Sequence, residues 1–242
     1  MCGLKFNKLD DGEIIYNANM IYVLSEMKKK NIEVDCIITD PPYKTTKRGH
    51  CGDAGGMLKS DAFIKGQVFT HNDIDIKIWL PLCYDVLKES GHCYIMTNHR
   101  NLHDYLNTIK DVGFHFIKSL IWDKGNKIMG QSYMSQFEYI LFLRKGKSVK
   151  INNCGTSDIL SVPNKKTKID GVNIHDTEKP VELMKILISN STQEGEVVLD
   201  PFMGVGSTCI GAKELKRKFY GIDIDENYYN IALERLNKID VL

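Results

Sequence analysis

The chain alternates between short apolar runs and longer stretches whose apolar residues recur every three to four positions. Residues 13–16, 34–39, 92–97, 114–122, 136–143, 197–199 and 219–222 are short, apolar and bounded by breakers, so each reads as a strand. Residues 19–30 carry Ile21, Leu24 and Met27 at helical spacing, with charges gathered near the end as a helix prefers. Residues 74–88 repeat the pattern through Ile78, Leu82, Val86 and Leu87 and stop before Ser90-Gly91. Further helices are predicted over 102–112, ahead of Gly113, after Lys179-Pro180 through Leu183, Ile186 and Leu187, and over 226–236 with Asp225 as cap. Strand alternating with helix predicts an α/β, doubly wound domain whose mixed sheet is mostly parallel, with one antiparallel strand supplied by 136–143.

Two of the strands end in aspartate. The run Val34-Asp35-Cys36-Ile37-Ile38-Thr39 leads into Asp40-Pro41-Pro42-Tyr43, and Val197-Val198-Leu199 leads into Asp200-Pro201-Phe202-Met203-Gly204-Val205-Gly206. In an open α/β sheet, ligands bind beyond the carboxyl ends of the strands where strand order reverses, so Asp40 and Asp200 are expected to line one crevice from two sides. Asp40 is an acceptor when ionised, and Pro41, lacking an N–H, leaves its surroundings rich in carbonyl oxygen and suited to an amino group. Pro41-Pro42 stiffens the turn that presents Tyr43, whose ring can stack on a planar heterocycle.

The glycine loop fails two common patterns. A dinucleotide fingerprint wants glycine where Cys209 stands, and a phosphate-cradling loop wants Gly-Lys-Ser/Thr where the chain has Gly211-Ala212-Lys213. What remains is a turn in which Gly204 and Gly206 let backbone approach a ligand, with an acid, Asp223, about twenty residues on and placed to accept from ribose hydroxyls.

Asp40-Pro41-Pro42-Tyr43 resembles the catalytic tetrapeptide of S-adenosylmethionine-dependent amino-DNA methyltransferases, and Asp200 to Thr208 resembles their cofactor loop. The tetrapeptide comes first, the order of the β group, and His175-Asp176-Thr177-Glu178-Lys179-Pro180-Val181-Glu182-Leu183 resembles the segment that group carries before its glycine loop. The resemblance implies a Rossmann-like methyltransferase fold with permuted motif order and S-adenosyl-L-methionine as cofactor. It implies cofactor contacts from Asp40, Asp200, Pro201, Phe202, Gly204, Gly206, Thr208 and Asp223, and from Thr177 or Lys179 to the cofactor carboxylate. Asn19 stands where the family has a carboxylate for the cofactor's adenine amino group and can still accept through its amide oxygen; a helix cap is its other reading. Trp122 to Asn126, read as a turn, and residues 133–138 match positions near the family's base pocket; Tyr133 is either a second stacking residue or an ordinary core or rim tyrosine. Phe137 replaces a histidine common in the family. The implied reaction methylates the N6 amine of an adenine flipped from double-stranded DNA, with Asp40, Pro41, Pro42 and Tyr43 as the catalytic set. Cytosine N4, an amine in RNA, and an inactive DNA-binding module are the alternatives. A homodimer and a cognate restriction enzyme are the further partners that the resemblance admits.

The 242 residues suit a single domain spanning 1–242. Residues 44–72, rich in glycine, lysine and small polar residues, are expected to be a mobile substrate loop, and 145–174, without periodicity, a short target-recognition insert. The net charge of +1 is modest for a nucleic-acid binder, but its distribution is uneven. Residues 44–72 hold five cations against two acids, and 144–168 hold seven against one. Lys44, Lys47, Arg48, Lys147, Lys150, Lys165 and Lys166 are therefore the candidate DNA contacts. No apolar stretch is long enough to span a bilayer and the first residues lack a signal pattern, so the expected location is cytoplasmic. Seven scattered cysteines with no Cys-x-x-Cys pair indicate neither a disulfide framework nor a metal site; Cys36, Cys93 and Cys209 read as core residues, and His50-Cys51 lacks a partner pair.

Overall fold

A computed structural model of the chain describes residues 5–42, 74–128, 133–164, 168–169, 172–173 and 178–239. With strands numbered in chain order, β1 (Lys5–Asp10) and β2 (Glu13–Asn17) form an antiparallel hairpin at one edge of a nine-stranded sheet. Beside β2, and parallel to it, lie β11 (Lys218–Asp223), β10 (Val197–Asp200), β3 (Val34–Thr39) and β4 (Leu87–Thr97) in that order. Next, β6 (Ser135–Arg144) returns antiparallel to β4, β5 (His115–Ile128) pairs antiparallel with β6, and β7 (Ile159–Ser161) lies parallel to β5. A separate antiparallel pair joins β8 (Lys168–Ile169) to β9 (Val172–Asn173).

Helices cover both faces. On one, α1 (Met20–Lys29), α2 (Ile76–Val86) and α3 (Leu102–Val112) pack through Val23, Leu24, Met27, Trp79, Leu80 and Ile109 onto Ile37, Cys93, Ile95 and Leu199. On the other, α4 (Val181–Ser191), α5 (Ser207–Glu214) and α6 (Glu226–Asn237) meet Cys36, Ile38, Tyr94, Met96 and Val198. Successive strand residues therefore serve opposite cores, which is why the central strands read as continuous apolar runs rather than alternating ones. Cys36, Cys93 and Cys209 are buried, as expected of core residues.

The mixed, mostly parallel sheet matches the reading of the sequence, with β6 as the expected return strand. The structure adds a second antiparallel strand, β1, whose residues are mostly exposed and carry little apolar signal. It ends α2 at Val86 rather than at residue 88: Val34 pairs with Leu87 and Cys36 with His92, so the residues between bulge out of the ladder, with Ser90 at φ +66°. The Trp122 to Asn126 segment is not a free turn but part of β5, which bulges near Gly125 (φ +74°) and runs on to Ile128.

The β4–β6 ladder stops at Thr97 opposite Tyr139, whereas the β5–β6 ladder continues through Trp122–Glu138 and Asp123–Phe137 to Ile128–Ser135. The β5–β6 hairpin thus stands about 13 Å beyond the end of β4, at about 3.3 Å per residue.

Gly221 on β11 lies opposite Asp200, and a Cβ there would come 2.5 Å from Met203 Sδ and 2.6 Å from Cys209 Sγ. Overpacking of this kind costs about 1–3 kcal/mol. Gly221→Ala is expected to lower the urea midpoint accordingly with an unchanged m value; wild-type stability would show that the loop yields freely at this point.

Candidate active site

The two acid-ended strands are neighbours. Leu199 pairs with Ile37, which sets Asp200 level with Ile38 and places Asp40 one strand period further along. The chain leaves β10 through α5 towards β11 on one side, and passes from β3 to β4 on the other, so strand order reverses between these two strands. Thr39 Oγ1 bridges them by donating to Asp200 Oδ1 at 3.0 Å.

Asp200 is almost fully buried. Its carboxylate also accepts from the Phe202 amide at 3.1 Å and from the Thr208 hydroxyl. Burial pushes Asp200 up to about 7; those hydrogen bonds oppose the shift and the nearby Asp40 charge adds to it.

Beyond Asp200 the glycine loop is held from beneath. The Met203 amide donates to Ile222 O at 2.9 Å, and Asp223 accepts the Gly204 amide at 2.9 Å on one oxygen and the Asp225 amide at 2.8 Å on the other. Asp225 caps α6 through the Asn227 and Tyr228 amides, as expected. Gly204 sits at φ +53° with nothing among the described residues within 4 Å of where a Cβ would be, so the loop is open to them at that point. Gly206, at φ +86°, has the opposite constraint, since a Cβ would come 3.0 Å from Ala232 Cβ on α6. Arg235 of α6 donates to Val205 O at 2.7 Å and pairs with the buried Glu178 at 2.8 Å, tying the loop to the segment before α4. Pro201 is buried, and Phe202 meets Trp79 of α2 edge-on at 5.5 Å. Asn19 caps α1, its Oδ1 accepting the Ile21 amide at 2.9 Å.

Between Asp200 and Ala212 the chain has no lysine or arginine. The rim instead offers carboxylates at Asp200 and Asp223, an open glycine, and a buried Ser207 hydroxyl without a partner among the described residues. Such a set fits a ligand with an ammonium group and ribose hydroxyls better than one with phosphates. No group of metal-ligating side chains occurs among the described residues.

Asp40 has a neighbour that the sequence reading assigned elsewhere. Lys179, held just before the N-cap Pro180 of α4, puts its ammonium on Asp40 Oδ2 rather than over the glycine loop. It also lies 3.6 Å from Glu138 of β6, whose other oxygen is 2.5 Å from Lys124 of β5. Both lysines are only 8% exposed, and both lie over the Trp122 indole, at 5.2 Å for Lys124 and 5.9 Å for Lys179. Burial pushes the Asp40 carboxyl up; Lys179 pulls it down and Glu138 pushes it up. Burial also acts on Glu138, but its two lysines outweigh it and hold that carboxyl below the usual range. The resemblance placed the segments of Lys124 and Glu138 near the base pocket but gave neither residue a role; the further signal for Glu138 was a carboxylate set between Phe137 and Tyr139 at the head of an apolar run.

The other expected residues are distributed unevenly. Pro41 and Pro42 follow Asp40 at the rim, buried and half-buried. Tyr43, Lys44, Lys47, Arg48, Lys165, Lys166 and Thr177 lie outside the described residues, as does the whole of 44–72. Tyr133 is 93% exposed and so is not a core residue. Lys147 and Lys150 belong at the opposite end of the sheet. Because β6 runs antiparallel, it ends at Arg144 opposite His92, where its ladder with β4 begins, and Lys145 is tied there to Tyr84, Leu87 and Gly91. The Lys147 amide bonds Glu89, and Asn152 is anchored to the end of α4. These two lysines therefore do not share the rim of Asp40 and Asp200.

A family described as DNA methylase matches residues 34–234. The Type II methyltransferase M2.DpnII of Streptococcus pneumoniae is 29% identical over 241 residues, covering 92% of this chain and 89% of that protein. The solved M1.HpyAVI–SAM complex is similar with a TM-score of 0.67 at 24% identity, over 91% of this chain and 98% of that one. The PvuII DNA methyltransferase, a cytosine-N4-specific enzyme, is similar with a TM-score of 0.70 at 15% identity, over 93% and 87%. These two structural likenesses speak to the fold.

Asp200 carries a pH signature. With its folded value near 7 and an unfolded value of about 4, the folded chain retains a proton that the unfolded chain releases in between, so stability falls as pH rises through that window. Asp200→Asn removes the ionisation. Relative to wild type, the cofactor-free variant is expected to gain stability steadily from about pH 4 to about pH 7 in urea denaturation and to level off above that. A difference that stays constant across that range would contradict the buried ionisation.

Proposed function

The chain belongs to the DNA methylase family, and from that premise we propose that it transfers a methyl group from S-adenosyl-L-methionine to the N6 amine of an adenine flipped out of double-stranded DNA. The observation that carries this reading is the shared rim: Asp40 and Asp200 end adjacent strands at the point where strand order reverses. The tetrapeptide-first order supports the β group.

When bound, the cofactor supplies a methyl group activated by the sulfonium. Asp200 takes its ammonium, Asp223 its ribose hydroxyls, and the open backbone at Gly204 allows close approach. An exocyclic base amine is a poor nucleophile because its lone pair is delocalised into the ring. Asp40 and the Pro41 carbonyl each accept one N–H, which favours a tetrahedral nitrogen with its lone pair free, and Asp40 then receives the proton. Pro42 stiffens the turn, and Tyr43 replaces the stacking that the base loses on leaving the duplex, a loss of a few kcal/mol. Lys44, Lys47, Arg48, Lys165 and Lys166 meet phosphates. The likeness to M2.DpnII supports a setting beside a cognate restriction enzyme.

The likeness to PvuII means that fold alone does not select the base. Aspartate rather than serine at the head of the tetrapeptide supports adenine. DNA from a methylation-free host expressing the protein should yield N6-methyladenine; N4-methylcytosine, or methylation confined to RNA, would overturn the choice of substrate. Asp40→Ala should bind cofactor normally while kcat falls on the order of 10²–10⁴-fold. Normal turnover in that variant refutes the role of Asp40. Charge reversal at Lys47 and Arg48 should flatten the salt dependence of DNA binding by roughly one unit of slope per lost contact.

A further inference from the structure

Asp40 is one end of a run of alternating charge assembled from segments far apart in sequence. Its Oδ2 is fixed by Lys179, Lys179 faces Glu138, and Glu138 is paired with Lys124. Two carboxylates and two ammonium groups make a neutral set, and burying ions this deeply is tolerable only when each has a partner of opposite sign. Lys179 approaches Asp40 on one oxygen alone. The other, Oδ1, is buried and finds no hydrogen-bond partner among the described residues.

We propose that Lys179 and Glu138 are positioning residues with opposed effects on Asp40: Lys179, anchored by Glu138, holds one oxygen of Asp40 and keeps the other as an anionic acceptor for the substrate amine, while Glu138 moderates that pull. This rests on the reading of Asp40 as the amine's acceptor. An ionised carboxylate accepts on both oxygens, whereas a protonated one turns one oxygen into a donor, which an N–H cannot use.

The charged and titratable groups that act on Asp40 come from every side. Lys179 precedes α4, Glu138 lies on β6, Lys124 on β5, Asp200 on β10 and Tyr105 on α3. Burial, Glu138 and Asp200 all favour the protonated carboxyl. Lys179, aided by Lys124, favours the anion. Glu138 therefore acts in two ways: it anchors Lys179, and it draws part of that cation's field away from Asp40. Removing the two residues should shift Asp40 in opposite directions, a pattern that general loosening of the site does not produce.

The test is a carboxyl ¹³C NMR titration of the cofactor-free protein, with the Asp40 signal assigned by its loss in Asp40→Asn. Lys179→Met should move the Asp40 midpoint up, Glu138→Gln should move it down, and Lys179→Arg should restore it towards wild type. In turnover, Lys179→Met should lose about tenfold or more at the acid end of the kcat profile and regain it as pH rises. Midpoints that stay put, or that both move the same way, overturn the proposal. If Lys179→Met does not fold, Glu138→Gln decides alone, since an unmoved or raised midpoint overturns it equally. An active Asp40→Ala would instead sink the amine-acceptor reading, whatever these midpoints do.

Discussion

The pairing of β3 with β10 is the constraint on which the site depends. Two parallel strands ending level with one another would ordinarily be capped by their own connections. Here the chain departs from them in opposite directions, which leaves the ends of both strands side by side at one rim. Thr39, the last residue of β3, donates to the aspartate that ends β10, so the seam is stitched by a side chain as well as by the backbone ladder. The buried apolar residues on either side, Ile37 and Leu199 on one face and Cys36 and Val198 on the other, fix this register, because a slip of one residue would turn each of them towards the wrong core.

The two sides of this rim are built differently. On the glycine-loop side, acids are satisfied by backbone amides and hydroxyls: Asp200 by Phe202, Thr39 and Thr208, and Asp223 by Gly204 and Asp225. On the tetrapeptide side, one oxygen of Asp40 is paired with an ammonium that is itself shared. Neutral donors shape a loop with little long-range field, whereas paired ions set the proton affinity of their neighbours. The first arrangement suits a surface that must hold its form, and the second suits a group whose protonation decides what it can bind.

Much of this was legible in the sequence, for identifiable reasons. The strands ending at Asp40 and Asp200 are β-branched runs closed by proline, and Asn19, Asp225 and Gly113 mark helix ends by local chemistry that needs no tertiary information. What escaped was non-local. The distance along the chain between Lys124, Glu138, Lys179 and Asp40 conceals that they form one set. The lysines after β6 looked like part of a recognition face because a charge count does not say which end of a sheet a segment reaches; the reversed direction of β6 sends Lys147 and Lys150 to the far end. Strand β1 escaped because an exposed edge strand needs no apolar pattern.

The hairpin formed by β5 and β6 reaches past the end of β4 and carries both Lys124 and Glu138. Half of the ionic set around Asp40 is therefore borne on an overhanging structural module. A chimera that exchanged this hairpin with that of a relative would transplant part of the electrostatic setting of Asp40 along with the hairpin's own surface. Loop grafting intended to retune recognition here is thus also an intervention in chemistry.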